Sequence, residues 1–102
     1  MQIRIIGLGG KVPDSLREFV RRRVAFALGR FETRISRVTI RLGDLNGPKG
    51  GLDKQCSMQA KLATSGLVIA EVVDSQVESA VARAADRLSR GLRTELERRR
   101  DR

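Results

Sequence analysis

Three arginines near the C-terminal end of the chain, Arg83, Arg87 and Arg90, have the spacing of one helix face. At about 100° per residue they fall within roughly 60° of one another and opposite the apolar stripe of the same segment, with Arg93 nearby. Each guanidinium presents a fork of N–H donors that matches phosphate oxygens. The spacing favours a phosphate-binding surface. The alternative is a solvated helix face that Asp86 partly neutralises through its i,i+4 neighbour Arg90.

A second basic group lies in an earlier amphipathic segment. Arg22 falls outside the apolar stripe of that segment, whereas Arg23 lies inside it by angle, between Phe19 and Ala27. Either the stem of Arg23 packs while its charged end reaches water, or the side chain lines a groove between two helices. The sequence leaves both arrangements open.

Residue types that carry enzymatic chemistry are scarce. Histidine is absent, which removes the commonest general base, the commonest zinc ligand and every His-containing triad. Cys56 alternates with Met58 and Ala60, so it is interpreted as a buried core residue and not a nucleophile. The glycine-rich stretch at 7–11 lacks the spacer and the hydroxyl residue of a nucleotide-binding loop, and is interpreted as a turn. We therefore expect no enzyme, no metal, no cofactor and no small-molecule substrate.

The charge balance indicates the class of partner. The 102 residues include 21 Lys and Arg against 12 Asp and Glu, a net charge of +9. Such an excess favours a polyanion, either nucleic acid or an anionic membrane surface. No apolar run approaches the roughly 20 residues of a membrane span, and glycines interrupt the apolar start, so neither a membrane nor a signal peptide is expected. The single cysteine excludes an internal disulfide and fits a reducing cytoplasm.

Aromatic residues bear on the mode of recognition. The chain has no Trp or Tyr, and its three Phe (Phe19, Phe26 and Phe31) lie in or just after the first helix. A sheet without aromatic residues has no stacking platform for single-stranded bases. Arginine-rich helices without stacking groups are suited to the backbone and shape of folded RNA.

The hydrophobic period changes along the chain in the order β-α-β-β-β-α. Strands are predicted at 2–6, from 34 onward, at 56–62 and at 67–73, where Val68, Ala70 and Val72 point inward. Pro13 is placed at the first helical position, Gly29 at the end of that helix, and Asp74 or Ser75 at the cap of the second. Residues 44–53 are predicted to form a loop.

The element order implies an α/β fold class, in the form of an α+β two-layer sandwich. A helix between the first two strands implies a right-handed crossover and a parallel pair, within a four-stranded mixed sheet. Each strand has one apolar face, so both helices should cover the same side. The other side would carry Arg4, Arg37, Arg41, Gln55, Gln59 and Lys61. We expect one domain at 1–94 and a charged, frayed tail at 95–102.

Two segments together resemble a known family, the ribosome-hibernation factors, also called ribosome-associated translation inhibitors. The first helix carries LREFV at 16–20, followed by Phe31 and by RI at 34–35. The second carries AV at 80–81 and RLSRGL at 87–92, which is similar to the basic Lys/Arg-Leu-x-Arg-x-Leu segment of that family. The resemblance covers nearly the whole chain.

This resemblance implies a fold similar to double-stranded-RNA-binding domains. It also implies that the protein docks on the small ribosomal subunit and thereby silences translation. It places Arg23, Arg87 and Arg90 on the rRNA, and Arg22 and Arg83 join them by geometry. A short, single-domain member without a dimerisation domain is expected to be a monomer. Two other functions remain open: a module for structured RNA away from ribosomes, and a protein-interaction domain that uses the open sheet face or the glycine-rich loop.

Overall fold

The computed structural model describes residues 1–44 and 53–100. The elements follow the predicted order: β1 (Gln2–Gly7), α1 (Asp14–Leu28), a 3-10 helix (Gly29–Arg34), β2 (Ile35–Asp44), β3 (Lys54–Leu62), β4 (Leu67–Asp74) and α2 (Val77–Arg100). Asp44, predicted to be the first residue of the loop at 44–53, is instead the last residue of β2. The rest of that loop, apart from Asp53, lies outside the described residues.

The four strands form one mixed sheet in the order β1-β2-β3-β4. β1 runs parallel to β2, with Ile3 opposite Val38 and Ile5 opposite Ile40, whereas the other two pairs are antiparallel. A parallel pair needs a long crossover, and α1 supplies it. The predicted sheet is confirmed.

One hydrophobic core lies between the sheet and the helices. The inward-facing residues of the three antiparallel strands alternate as predicted and are buried: Val38, Ile40, Leu42, Cys56, Met58, Ala60, Ala70 and Val72. α1 adds Val20, Val24 and Leu28, while α2 packs on β3 and β4. A Cβ added at Gly91 would lie 3.0 Å from Cγ1 of Val68, so glycine lets α2 approach β4 closely. Both helices therefore cover one face, as expected.

The ends of α1 differ in detail from the prediction. Pro13 lies one residue before the helix, with an extended ψ of 149°, and its carbonyl accepts the N–H of Arg17. Gly29 does follow the last residue of α1, but its φ of −54° is right-handed and not the left-handed geometry of a C′ glycine. The chain tightens there into the 3-10 helix, which brings Phe31 against the core.

The other face of the sheet carries the polar residues that the alternation predicts. Two apolar residues of β4, Leu67 and Ile69, lie 53% and 62% exposed among them. No aromatic side chain lies on the described strands, which confirms that this face lacks a stacking platform.

α2 continues beyond the predicted domain boundary at residue 94. Leu96 packs against the core, Glu95 pairs with Arg98 and Arg99 at 2.6 and 3.0 Å, and Arg99 Nη1 donates to Thr64 Oγ1 in the β3–β4 turn. The helix is thus continuous through Arg100, and fraying of the last residues stays a prediction. Neither described α-helix is apolar enough over sufficient length to span a membrane.

Candidate nucleic-acid interface

α1 and α2 lie side by side, and an ion pair crosses between them. Arg23 Nη2 donates to Oδ1 of Asp86 at 3.0 Å, with 24% of the Arg23 side chain exposed. Arg23 Nη1 is buried and has no hydrogen-bond partner in the described part of the chain. Of the two arrangements open for Arg23, the structure has the one in which the side chain lies between the two helices. The Asp86–Arg90 pairing that belonged to the alternative of a solvated helix face is not seen among the described residues, because α1 brings the Arg23 guanidinium to that carboxylate instead.

The groove consists of two adjoining clefts that share Arg30. The first has a volume of about 400 Å³ and is lined by Phe26, Ala27, Arg30, Asp86, Ser89 and Arg90. Arg30 Nη2 donates to Ser89 Oγ at 3.4 Å. We call the two clefts together the interhelical groove.

The second cleft, also about 400 Å³, lies between the 3-10 helix and the end of α2. Five of its eight lining residues are arginines, and the full set is Arg30, Phe31, Arg34, Arg93, Leu96, Glu97, Arg99 and Arg100. Cζ of Arg30 lies 4.9 Å from the centroid of the Phe31 ring, so a cation–π contact helps to hold this guanidinium in place. The cleft is open and strongly cationic.

The predicted arginine group of α2 does not face one common surface: two of its side chains turn toward β4 and two line the interhelical groove. Arg83 Nη1 donates to Asp74 at 2.9 Å, and Arg87 Nη1 donates to the carbonyl of Glu71 at 3.2 Å, so both turn toward β4. Arg90 and Arg93 line the interhelical groove. The angular spacing was correct, but the position of α2 over β4 separates the four side chains.

Asp74 organises the start of α2. Its Oδ1 accepts the N–H of Gln76 at 3.2 Å, just before the helix begins, which favours Asp74 over Ser75 as the residue that stabilises this end. The hydrogen bond from Arg83 is the main cause that holds the pKa of Asp74 below its usual value, and the N–H of Gln76 acts in the same direction.

The six predicted site residues all lie in the helix layer. Arg22, Arg90 and Arg93 are exposed and have no hydrogen-bond or ion-pair partner within residues 1–44 and 53–100. Arg23 is committed to Asp86, and Arg83 and Arg87 each use one N–H on β4 or its end. The structure thus brings two of the six, Arg90 and Arg93, into the lining of the groove. Arg23 lies in the ion pair between the helices, Arg83 and Arg87 turn toward β4, and Arg22 lies one turn before Phe26.

Sequence reasoning missed Phe26 and Arg30. Phe26 is 84% exposed in the groove, so α1 presents an aromatic ring to solvent that the expectation of helices without stacking groups did not include. The signal was present: Arg22, Phe26 and Arg30 are spaced by four, and Phe26 lies roughly 200° from buried Val24 on a helical wheel. The number of phenylalanines alone does not reveal an exposed ring, because the direction in which each ring faces decides whether that ring can stack.

The cysteine and the acidic residues do not form a second candidate site in the described part of the chain. Cys56 is fully buried, which confirms its predicted place in the core, and burial raises the pKa of its thiol to about 12. The described residues contain no cluster of acidic or sulfur ligands that would hold a metal ion. The groove remains the place where guanidiniums and an exposed ring converge.

Comparison with known proteins shows which family shares this architecture. A family model described as Sigma 54 modulation protein / S30EA ribosomal protein matches residues 3–100. The N-terminal domain of Thermus thermophilus Protein Y is 27% identical, with a TM-score of 0.71, over 88% of this chain and 93% of that one. No curated protein sequence matches significantly.

A ribosomal subunit interface protein from Coxiella burnetii has the same fold. It is 22% identical with a TM-score of 0.69, and the alignment covers 100% of both chains. The resemblance to the hibernation factors that the two helices indicated is confirmed. The chain belongs to the family of Sigma 54 modulation proteins and S30EA ribosomal proteins.

Proposed function

We propose that this protein binds the small ribosomal subunit through rRNA contacts in and around the interhelical groove, and thereby silences or stabilises idle ribosomes. The observation that carries the proposal is the convergence of exposed guanidiniums from the 3-10 helix and α2 on one groove: Arg30, Arg90 and Arg93. Arg22 of α1 is exposed one turn before Phe26, which lines the same groove. Family membership supports association with ribosomes, and the description of the Coxiella relative as a ribosomal subunit interface protein agrees with it.

The groove holds its cations on rigid elements. Arg90 and Arg93 project from a helix whose Leu88 and Leu92 are fully buried, so their backbone positions are fixed by the core. Arg30 is restrained by Ser89 and Phe31. Side chains placed in advance lose less freedom when they bind phosphate. A charge-assisted hydrogen bond of this kind contributes roughly 1.5 to 3 kcal/mol.

Arg83 and Arg87 extend the same surface toward β4. A guanidinium has five N–H donors, and each of these two uses one of its nitrogens on a partner in the protein. The ion pair of Arg83 with Asp74 leaves 52% of the arginine side chain exposed. Both residues therefore keep donors for phosphate oxygens, and we include them in the proposed rRNA surface.

The test is co-sedimentation with separated small and large ribosomal subunits. We expect the protein to pellet with small subunits. Changing Arg30, Arg90 and Arg93 to Gln should abolish most of that binding. The matched control changes Arg4, Arg37 and Arg41 to Gln, which removes the same charge from the opposite face of the sheet and should leave binding largely intact.

Three outcomes would contradict the proposal. Pelleting with large subunits alone would exclude the small subunit as the target. Equal losses in the two triple variants would mean that a diffuse positive charge attracts RNA and that the groove is not a docking site. Displacement from small subunits by an equal mass of unrelated RNA hairpin would favour a general structured-RNA module instead.

A further inference from the structure

We propose that the first cleft of the interhelical groove takes one unpaired RNA base, stacked on the ring of Phe26. The inference rests on the proposed RNA-binding function and adds to it a contact with a base, where the arginines alone would contact the backbone. Phe26 is 84% exposed, more than any other large apolar side chain described, whereas Phe19 and Phe31 are partly buried against the core.

One face of the Phe26 ring already lies against a guanidinium. Cζ of Arg23 lies over the Phe26 ring at 5.5 Å from its centroid, and Asp86 holds that guanidinium at 3.0 Å. Phe26 is 84% exposed and lines the cleft of about 400 Å³, so we place the base on the ring face opposite Arg23. A base that entered this cleft would complete a stack of guanidinium, phenyl ring and base on groups that need not move.

The chemistry around the ring fits a nucleotide better than an apolar protein segment. Arg30 and Arg90 flank Phe26 in the same cleft, and its one other apolar lining residue, Ala27, is already partly buried. A docking site for an apolar helix or strand needs a contiguous apolar patch, and an isolated ring among cations does not provide one. A nucleotide offers a flat π-face to the ring and a phosphate to each neighbouring guanidinium.

The occupant is therefore an unpaired nucleotide of otherwise folded RNA, such as a bulge or a loop residue. A base inside a duplex is stacked on its neighbours and has no free face to offer. Stacking tolerates any of the four bases, because each has a π-face. We accordingly expect a preference for RNA with a displaced base, and not for a particular sequence.

A tryptophan at position 26 reports stacking directly. The chain contains no Trp and no Tyr, so the variant Phe26→Trp has a single indole, placed in the cleft. Titration with an RNA hairpin that carries one bulged nucleotide should quench its fluorescence strongly. The same hairpin without the bulge should quench it much less at equal occupancy, with binding followed in parallel by anisotropy of end-labelled RNA. Ile69→Trp, on the open face of the sheet, is the matched control and should show no quenching.

A second measurement separates the base from the backbone. Phe26→Ala should weaken binding of the bulged hairpin about 5- to 150-fold, the equivalent of ~1 to 3 kcal/mol for one stacked base. The salt dependence should keep its slope, because no charge is lost. Phe26→Leu should behave like Phe26→Ala, since an aliphatic side chain fills the space without offering a π-face.

The outcomes distinguish this inference from the proposed function. If Phe26→Ala and Phe26→Trp bind RNA like the wild type without quenching, while the Arg30, Arg90 and Arg93 variant loses binding, the stacking site is refuted and ribosome docking stands. Full rescue by Phe26→Leu would also refute stacking. If the bulged hairpin quenches Phe26→Trp but small subunits are not bound, the stacking site stands and ribosome docking fails.

Discussion

Affinity for RNA should fall steeply as salt concentration rises. Arg30, Arg90 and Arg93 line the interhelical groove with exposed guanidiniums, Arg22 is exposed one turn before Phe26, and Arg83 and Arg87 on α2 keep free donors. If about four to six phosphates are neutralised, and each contributes roughly −0.7 to −0.9, the slope of log K against log salt is near −3 to −5. Raising salt from about 50 to about 200 mM should then weaken binding roughly 60- to 1000-fold.

Removing three of these charges changes the slope by a calculable amount. The variant with Gln at positions 30, 90 and 93 should lose about 2 to 3 units of slope, which leaves a value near −1 to −3. The same increase in salt would then weaken its binding only about 4- to 60-fold. The assay is fluorescence anisotropy of a labelled small-subunit rRNA fragment at five or more salt concentrations. Thermal melting of each variant checks that the fold is intact.

The control variant has Gln at positions 4, 37 and 41, on the sheet face that points away from the helices. It has the same net charge as the groove variant but should retain the wild-type slope, because the proposed phosphate-binding surface does not include those arginines. A flat salt response of the wild type would refute the phosphate model. So would an equal reduction in slope for both variants, which would show that the slope reports overall charge and not contacts in the groove.

Three further measurements test the fold. Burial shifts the pKa of Cys56 from 9.0 to about 12. At a pH below both of these values, thiol labelling of the native protein should therefore be at least roughly a thousandfold slower than in denaturant. As a control, Lys61→Cys in a Cys56→Ala background should label at once. The pKa of Asp74 is lowered in the folded state. The stabilising effect of Asp74 is therefore complete above the ordinary pKa of an aspartate and is lost as pH falls through the pKa of the folded state, so the melting temperatures of the wild type and Asp74→Asn should converge in acid. A difference in melting temperature that stays constant with pH would contradict this. Leu88→Ala should lower the free energy of unfolding by about 2 to 5 kcal/mol in a urea titration, and Leu67→Ala, at an exposed position of β4, by less than about 1.

Much of the fold could be predicted from local periodicity. Alternation in β2, β3 and β4 was enough to decide which residues face the core, since a strand has only two faces. The 3-10 helix at 29–34 was not predictable in the same way. Gly29 signals the end of α1, but glycine adopts right-handed and left-handed conformations alike, so its presence does not decide the conformation of the residues after it.

The site was less predictable than the fold, because it depends on how elements pack. Arg23 and Asp86 are 63 residues apart, and their pairing exists only once α1 lies beside α2. The turn of Arg83 and Arg87 toward β4 likewise results from the position at which α2 crosses the sheet. A helical wheel gives the direction of each side chain relative to its own helix. It contains no information on which neighbour stands in that direction.

The strand order has a consequence for how the protein folds. The three antiparallel strands follow one another in sequence, and α2 packs on the last two of them, so β2, β3, β4 and α2 form a unit of elements that are consecutive in the chain. β1 joins this unit through a parallel pair that sets Gln2 opposite Arg37, which requires a longer loop to close. We expect hydrogen exchange to show β1 and α1 opening more readily than the rest.

That order of opening bears on the groove, since α1 supplies one wall and α2 the other. A molecule whose β1 and α1 have both detached still has Arg90 and Arg93 on α2, but has no Phe26 or Arg23 beside them. Bound RNA would bridge the two walls and slow exchange in β1, some distance from any contact. Through this linkage, binding selects molecules in which both parts of the chain have come together.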